Sequence, residues 1–314
     1  MPAQLRQLLF VLNPISGDID KTALEATIAA YCTERGRTAT FFHTNGHDDL
    51  ARLRRQLMQP YDAAFAAGGD GTASLVAEAV SGTPVPLGII PLGSGNGLSK
   101  DLGIPQSVEE ALRLTWDYTL RTLDTLRVGG LFAAHLADIG FNALIVERFD
   151  QGDARGPAAY VRIATQEYAA YQPATYRIET DRETWEGEAF MLTIANANTF
   201  GSNVVINPQG QLDDGKFEIC LIAPFPNTAA PGLLYRLYTS DFDASDYTKR
   251  LQCERASISV PGATEVLVQL DGEPHHLPNP VEVEIRPGSL RVLVPPAAAR
   301  CRSLAAQKLL QALG

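Results

Sequence analysis

The sequence predicts an α/β N-terminal domain on a parallel sheet, then a β-rich antiparallel C-terminal domain, with the site in the cleft between them. Three observations lead there. Over residues 1–122 short apolar runs alternate with amphipathic helical patterns, the signature of a parallel sheet wrapped by helices. After Arg121 helical periodicity becomes rare, and runs rich in Val, Ile, Thr and aromatic residues take over. The length, 314 residues, exceeds what one compact core usually absorbs. The expected division is 1–122 and 123–297, with 298–314 packing back on the first domain.

Each element has its own signal. Leu8 to Leu12 is a continuous apolar run, too short for a signal peptide, and reads as a buried strand. Asp20 is placed to cap a helix carrying Leu24, Ile28 and Tyr31 at helical spacing. Thr38 to His43 is a second strand, and Asp48 to Met58 an amphipathic helix with Leu50, Leu53 and Leu57 on one face. Asp62–Ala67 and Val85–Ile90 supply two further strands. Ser107 with Glu110 forms a capping box that opens a helix through Ala111, Leu112 and Trp116. In the second half, Val281 to Arg286 alternates strictly, as a half-buried strand does. Phe217–Ile222, Glu265–Leu270 and Leu290–Val294 read alike, and only Ala158–Tyr171 looks helical before the closing helix Ala298–Leu313.

Composition excludes several function classes. Hydrophobic residues make up 45% and charged residues 20%, a foldable balance rather than a disordered one. The net charge is −10, which argues against a nucleic-acid partner, whose phosphates need cations, and against broad adhesion to anionic lipid. No apolar run approaches the roughly 18 residues that span a bilayer. Cys32, Cys220, Cys253 and Cys301 stand far apart, with no CxxC spacing and no histidine cluster. A cytoplasmic protein without disulfides or zinc is expected, with at most transient peripheral contact with a membrane.

Three glycine loops follow predicted strands: Asn13-Pro14-Ile15-Ser16-Gly17, Gly68-Gly69-Asp70-Gly71-Thr72 and Pro91-Leu92-Gly93-Ser94-Gly95-Asn96. Each alone could be an ordinary tight turn. Three at the ends of neighbouring strands suggest an anion cradle, because glycine lets backbone N–H groups approach an anion and a following helix adds its positive end. Neither G-x-x-x-x-G-K-[ST] nor G-x-G-x-x-G is present, so a P-loop ATPase and a Rossmann dehydrogenase are disfavoured. Asp70 stands out, since a carboxylate beside phosphates suggests an intervening cation and Mg²⁺-dependent phosphoryl transfer. Two acidic turns, Gln211 to Gly215 and Leu270 to Pro274, could equally be Asp-Gly hairpins. His275 and His276 are given no role.

Taken in this order, the loops resemble the diacylglycerol kinase catalytic-domain family, which includes sphingosine kinases and bacterial lipid kinases. The resemblance covers nearly the whole chain. Asp138-Ile-Gly-Phe-Asn142, Ala195-Asn196, Asp214-Gly215 and Asp271-Gly272-Glu273 sit where that family has its later motifs. It implies an NAD kinase/diacylglycerol kinase-like fold and an ATP-dependent lipid kinase, acting on a diacylglycerol-like or sphingoid-base-like hydroxyl. It also implies that Asn13, Pro14, Ile15, Ser16, Gly17, Thr44, Gly68, Gly69, Asp70, Gly71, Thr72, Ala73, Ser74, Gly93, Ser94, Gly95 and Asn96 bind ATP. Glu273 becomes the acid/base, with Asp271 and Asp70 beside it in the catalytic set. Asp214 would hold Mg²⁺ with the backbone carbonyls of Gln211 and Lys216. The chain departs from the family pattern at Ser74-Leu75, usually Asn-Glu, at Gly97, usually Asp, and at Asp18 and Asp20, where basic residues are common. A NAD kinase-like enzyme and a relative that has lost catalysis are the competing readings.

Overall fold

The computed structural model describes residues 5–14, 20–93, 95–152, 156–198 and 204–296. The expected nucleotide contacts Ile15, Ser16, Gly17 and Ser94 and the closing helix at 298–313 lie outside them. Two compact units emerge. The first takes the described residues up to Leu123 and those from Ser289 on, and the second is Asp124–Gly288.

The first unit begins β1 (Gln7–Leu12), α1 (Lys21–Thr33), β2 (Thr38–His43), α2 (Asp49–Gln56), β3 (Ala63–Gly68), α3 (Asp70–Val80) and β4 (Leu87–Pro91). Two short helices follow, α4 (Gly97–Asp101) and α5 (Val108–Ala111). The strands pair in parallel in the order β2-β1-β3-β4. Buried on both faces, β1, β3 and β4 read as nearly continuous apolar runs rather than alternating ones, while the edge strand β2 is only partly buried. Asp20 does cap α1, accepting from the N–H groups of Thr22 and Ala23. The buried face of α1 is Leu24, Ile28 and Cys32 rather than Tyr31, whose hydroxyl accepts a bond from the Trp116 indole. Only Leu53 of α2 is buried, so that helix lies shallower than its leucine spacing suggests. The capping box at Ser107 forms, but α5 lasts four residues before tightening into a 3₁₀ turn, Leu112–Thr115.

An aromatic row crosses this sheet. Phe41, Phe10, Phe65 and Gly88 stand at paired positions on β2, β1, β3 and β4. The Phe10 and Phe65 rings stack at 5.0 Å. Gly88 ends the row because the Phe65 ring lies where its Cβ would be, 2.3 Å from the nearest ring carbons.

The second unit contains β6 (Leu131–Ala133), β7 (Leu136–Gly140), α6 (Phe141–Gln151), α7 (Pro157–Tyr168), β8 (Ala174–Thr180), β9 (Thr184–Ala189), β10 (Met191–Ala195) and β11 (Phe217–Ile222). Then come α8 (Ala230–Tyr238), β12 (Thr248–Cys253), β13 (Arg255–Ser259), β14 (Glu265–Leu270) and β15 (Glu273–Pro278). Two strands contain the unit boundaries: the connecting strand β5 (Thr119–Val128) and the last strand β16 (Val281–Val294). The early residues of the last strand pair with β13, while Val292 pairs in parallel with Leu87 of the first unit's β4. A six-stranded antiparallel sheet runs β12-β11-β10-β7-β14-β15. One face, with Ile139, Leu192, Ile194 and Phe217, packs into a sandwich core with Tyr176, Ile178, Ala256 and Val283.

The prediction of an antiparallel β-rich second half holds, but the sequence reading missed two helices. In α6 the buried positions Ala143 and Ile145 are two apart, which mimics strand spacing. In α8, Pro231 and Gly232 look like a turn yet occupy the first helical turn, where proline's missing N–H costs nothing. The strands read separately at 281–286 and 290–294 are one, continuing through Pro287 and Gly288.

Gly88→Ala forces a methyl into the Phe65 ring, beside the fully buried Phe10 and Phe65. It is expected to lower unfolding free energy by about 1–3 kcal/mol, read as a reduced midpoint in urea.

Candidate functional site

In the first unit the candidate residues gather at the carboxyl ends of the parallel strands, where α/β sheets bind ligands. Asn13 and Pro14 follow β1. Thr44 follows β2 and is tied to β1 by its N–H to the Leu12 carbonyl at 3.0 Å. Gly68 ends β3, Gly69 opens α3, and Gly93 follows β4. Their glycines are sterically required. A Cβ on Gly93 would sit 2.7 Å from Gly69 Cα, so the second and third loops touch backbone to backbone. A Cβ on Gly68 would strike the Thr72 side chain at 2.3 Å, and one on Gly95 would stand 2.5 Å from the Asp70 carboxylate. Thr72 and Ala73 are buried.

Sequence reasoning put Asp70 among the reacting phosphates. In the structure its carboxylate spans to the third loop: Oδ2 accepts from Asn96 N–H and Oδ1 from Gly97 N–H, both at 2.8 Å. Asn96, held in the left-handed region at φ 53, accepts from Gly93 N–H and donates to the Gly93 carbonyl and to Gln106. Gly97 takes part in this tie through its backbone amide alone, which any residue but proline would supply. The N-terminus of α3 has no side-chain cap, and its first-turn N–H groups follow two glycines.

In the second unit, Asp271 and Gly272 form the two-residue turn between β14 and β15, both at positive φ, 48 and 96. That is the primed hairpin turn which Asp-Gly favours. The Asp271 carboxylate accepts from three consecutive N–H groups at the start of β7: Ala134 at 2.7 Å, His135 at 3.0 Å and Leu136 at 3.0 Å. Asp271 thus fastens the turn, whereas Glu273, first residue of β15, is exposed. His276 meets Glu147 at 2.9 Å.

Asp214 Oδ1 accepts from Lys216 N–H at 3.0 Å, in a local turn. Its neighbour Gly215 donates to Asp124, a buried aspartate that sequence reasoning passed over. Asp124 uses its other oxygen for Gly288 N–H, each bond 2.7 Å, while its own N–H donates to the Leu212 carbonyl. The available signal was a charge inside the apolar run Leu123-Asp-Thr-Leu126. Among the described residues no three His, Cys, Asp or Glu side chains converge. The donors expected for the ion, the Asp214 carboxylate and the backbone carbonyls of Gln211 and Lys216, are by their chemistry hard oxygen ligands of the kind Mg²⁺ takes when water completes its shell. Asn196, which donates to the Asp124 carbonyl, keeps a buried Oδ1 with no partner among the described residues, a place suited to an ordered water. The residues fit a hydrated hard cation.

Asp138 of the Asp-Ile-Gly-Phe-Asn motif is fully buried on β7. Thr193 donates to its Oδ1, and Asn142 and Gln269 donate to its Oδ2. Burial raises its pKa from 3.8 to about 6, and the bonds from Thr193, Gln269 and Asn142 hold it from rising further. The titratable groups within its electrostatic reach are His135, Tyr160 and Cys220, the last two pushed upward by burial and neutral.

Residues 7–128 match the family model described as the diacylglycerol kinase catalytic domain, and residues 136–294 match the YegS C-terminal NAD kinase beta sandwich-like domain. The chain belongs to the diacylglycerol kinase catalytic-domain family of lipid kinases. It is 30% identical over 277 residues to "Probable lipid kinase YegS-like" of Pseudomonas aeruginosa, covering 87% of this chain and 89% of that one. An uncharacterized protein of Synechocystis is 34% identical over 239 residues, 74% of this chain but 54% of its own length. A crystal structure of a diacylglycerol kinase from Bacillus anthracis shares the fold, with a TM-score of 0.72 at 20% identity, over 95% of this chain and 99% of that one.

Asp70→Asn leaves one backbone N–H of the third loop facing an amide NH₂. It is expected to cost about 1–3 kcal/mol of stability in urea unfolding. An unchanged unfolding curve with lost activity would assign Asp70 to the reacting phosphates rather than to the loop tie. For Asp138 the sign follows from a folded pKa above the unfolded one. Its protonated form stabilises the fold below about pH 4, and that contribution is lost as pH rises to about 6. The stability of Asp138→Asn relative to the native chain is expected to improve by on the order of 2–3 kcal/mol between pH 4 and 7, compared by denaturant unfolding at each pH.

Proposed function

We propose that this chain transfers the γ-phosphoryl group of ATP to the hydroxyl of a lipid, diacylglycerol-like or sphingoid-base-like. The observation that carries the reading is the uncapped start of α3 behind Gly68-Gly69, with the Asp70 carboxylate held on the amides of Asn96 and Gly97. Backbone N–H groups and the helix dipole then offer positive potential to a phosphate chain. Asn13, Thr44 and the third loop would enclose the nucleotide. The lipid acceptor is supported by family membership and by the printed name of the Pseudomonas relative. Such an acceptor implies transient peripheral contact with a membrane; no described helix is long and apolar enough to cross one.

In the transfer, an acceptor oxygen bonds to the γ-phosphorus as the bond to the bridging oxygen breaks, and ADP leaves. The hydroxyl proton passes to the Glu273 carboxylate. That side chain suits the task because it is exposed on a turn whose backbone Asp271 fixes. When bound, Mg²⁺ would be held by Asp214 with the carbonyls of Gln211 and Lys216, supplying positive charge in the site. Because the transition state is loose, orientation should matter more than base strength.

Purified protein with labelled ATP and a panel of diacylglycerol, a sphingoid base and NAD tests this. Lipid phosphorylation is expected, and Glu273→Gln should lower kcat by about 100-fold or more at unchanged melting temperature. Labelling of NAD alone would replace the reading with a NAD kinase-like one.

A further inference from the structure

We propose that Asp138 is a positioning residue for the acid–base turn, holding the Asp271-Gly272-Glu273 hairpin through Gln269 and tying it to α6 and α7 through Asn142 and Tyr160. The inference rests on the reading of Glu273 as the proton acceptor, and deepens it.

Register places the parts. On the central strands β10, β7 and β14, Thr193, Asp138 and Gln269 stand directly opposite one another. Their side chains share the face of the sheet turned away from the sandwich core, the face on which Met191, Cys220 and Ile222 pack. A polar row in that setting is costly unless every member is satisfied. Here each member has a partner, and the bonds have a direction.

A carboxylate can only accept, so each neighbour must present a donor to it. Gln269 turns its NH₂ to Asp138, which leaves its Oε1 facing the other way. That Oε1 accepts from Gly272 N–H at 2.7 Å, inside the hairpin turn. Asn142, on α6, is oriented in the same manner: its NH₂ meets Asp138 at 2.5 Å and its Oδ1 accepts from the Tyr160 hydroxyl of α7. Two hydrogen-bonded chains therefore converge on one buried carboxylate, one from the turn and one from the helices. Reversing either amide would set donor against donor or acceptor against acceptor. With Asp271 fastened to residues 134–136, the turn is held to the start of β7 and, through Gln269, to its middle. The backbone that carries Glu273 is fixed from both sides. This is second-layer support of the kind that keeps a reacting group within the tolerance transfer demands.

The test uses the full chain as the native sequence, Gln269→Glu and the double variant Asp138→Asn/Gln269→Glu. In Q269E two carboxylates face each other. In the double variant the Asn NH₂ donates to the new Glu, whose other oxygen again accepts from Gly272. Asn142 turns its amide over so that its Oδ1 accepts from that NH₂ while its own NH₂ donates to the Tyr160 hydroxyl. Two readouts are taken: hydrogen exchange of the amides at residues 270–274, which needs no activity, and kcat with the ATP KM on diacylglycerol in mixed micelles. Q269E is expected to speed exchange at the turn and to lower kcat by about tenfold each, with the ATP KM within about twofold of native. The double variant should restore both to within about threefold. Should Q269E not fold, Gln269→Leu, which removes both bonds without adding charge, is expected to give the same exchange and kcat changes. Native-like exchange at the turn in the single variant, or no recovery in the double, overturns the proposal. A native chain that phosphorylates no lipid overturns the acceptor reading instead, and turn exchange still decides the role of Asp138.

Discussion

An aspartate whose two oxygens both accept backbone N–H groups joins segments far apart in sequence, and this chain uses that interaction at each part of its candidate site. Asp70 joins the second glycine loop to the third, Asp124 joins the Asp214 turn to Gly288, and Asp271 joins a hairpin tip to the start of β7. Charge-assisted bonds of this kind are stronger than neutral ones, and the loop amides they satisfy would otherwise need water or another acceptor. Loops that have little apolar surface to bury are thereby given fixed shapes. In a chain with a net charge of −10, part of the acidic surplus thus has an architectural use.

Glycine supplies the complementary condition. The Asp70 tie forms only because the second and third loops can touch at Gly69 and Gly93, and because Gly95 leaves room for the carboxylate. The same logic recurs at Gly140, where a Cβ would stand 2.9 Å from the Phe190 carbonyl as β7 turns directly into α6. Carboxylate and glycine act together: one draws backbone in, and the other removes the atoms that would keep it out.

This pairing explains what could be read from the sequence and what could not. The inner strands of the first unit were legible because burial on both faces leaves an uninterrupted apolar run, as in Ala63–Gly68. The Asp20 cap and the Asp271-Gly272 turn were legible because each obeys a local rule. Asp70, Asp124 and Asp271 were harder, since an aspartate near a glycine loop looks the same whether it faces a phosphate or a distant N–H group. Their partners lie 26 to 164 residues away in no periodic relation, with Asp124 and Gly288 at the far extreme. The helices α6 and α8 were obscured by local signals that tertiary packing overrode.

The bond between Asp124 and Gly288 has a consequence for how the chain is made. These are the first and last residues of the second unit, so one side chain fastens the two ends of an inserted domain to each other. The first unit, by contrast, receives a sheet partner from the far end of the chain, where Val292 meets Leu87. During synthesis, at about 5–20 residues per second, β1 to β4 emerge long before that partner exists. Through that interval the flank of β4 is an unpaired strand edge, open to association with other chains. The inserted domain can close as soon as Gly288 clears the ribosome, bringing the two crossing points together and delivering the last strand to the edge that awaits it.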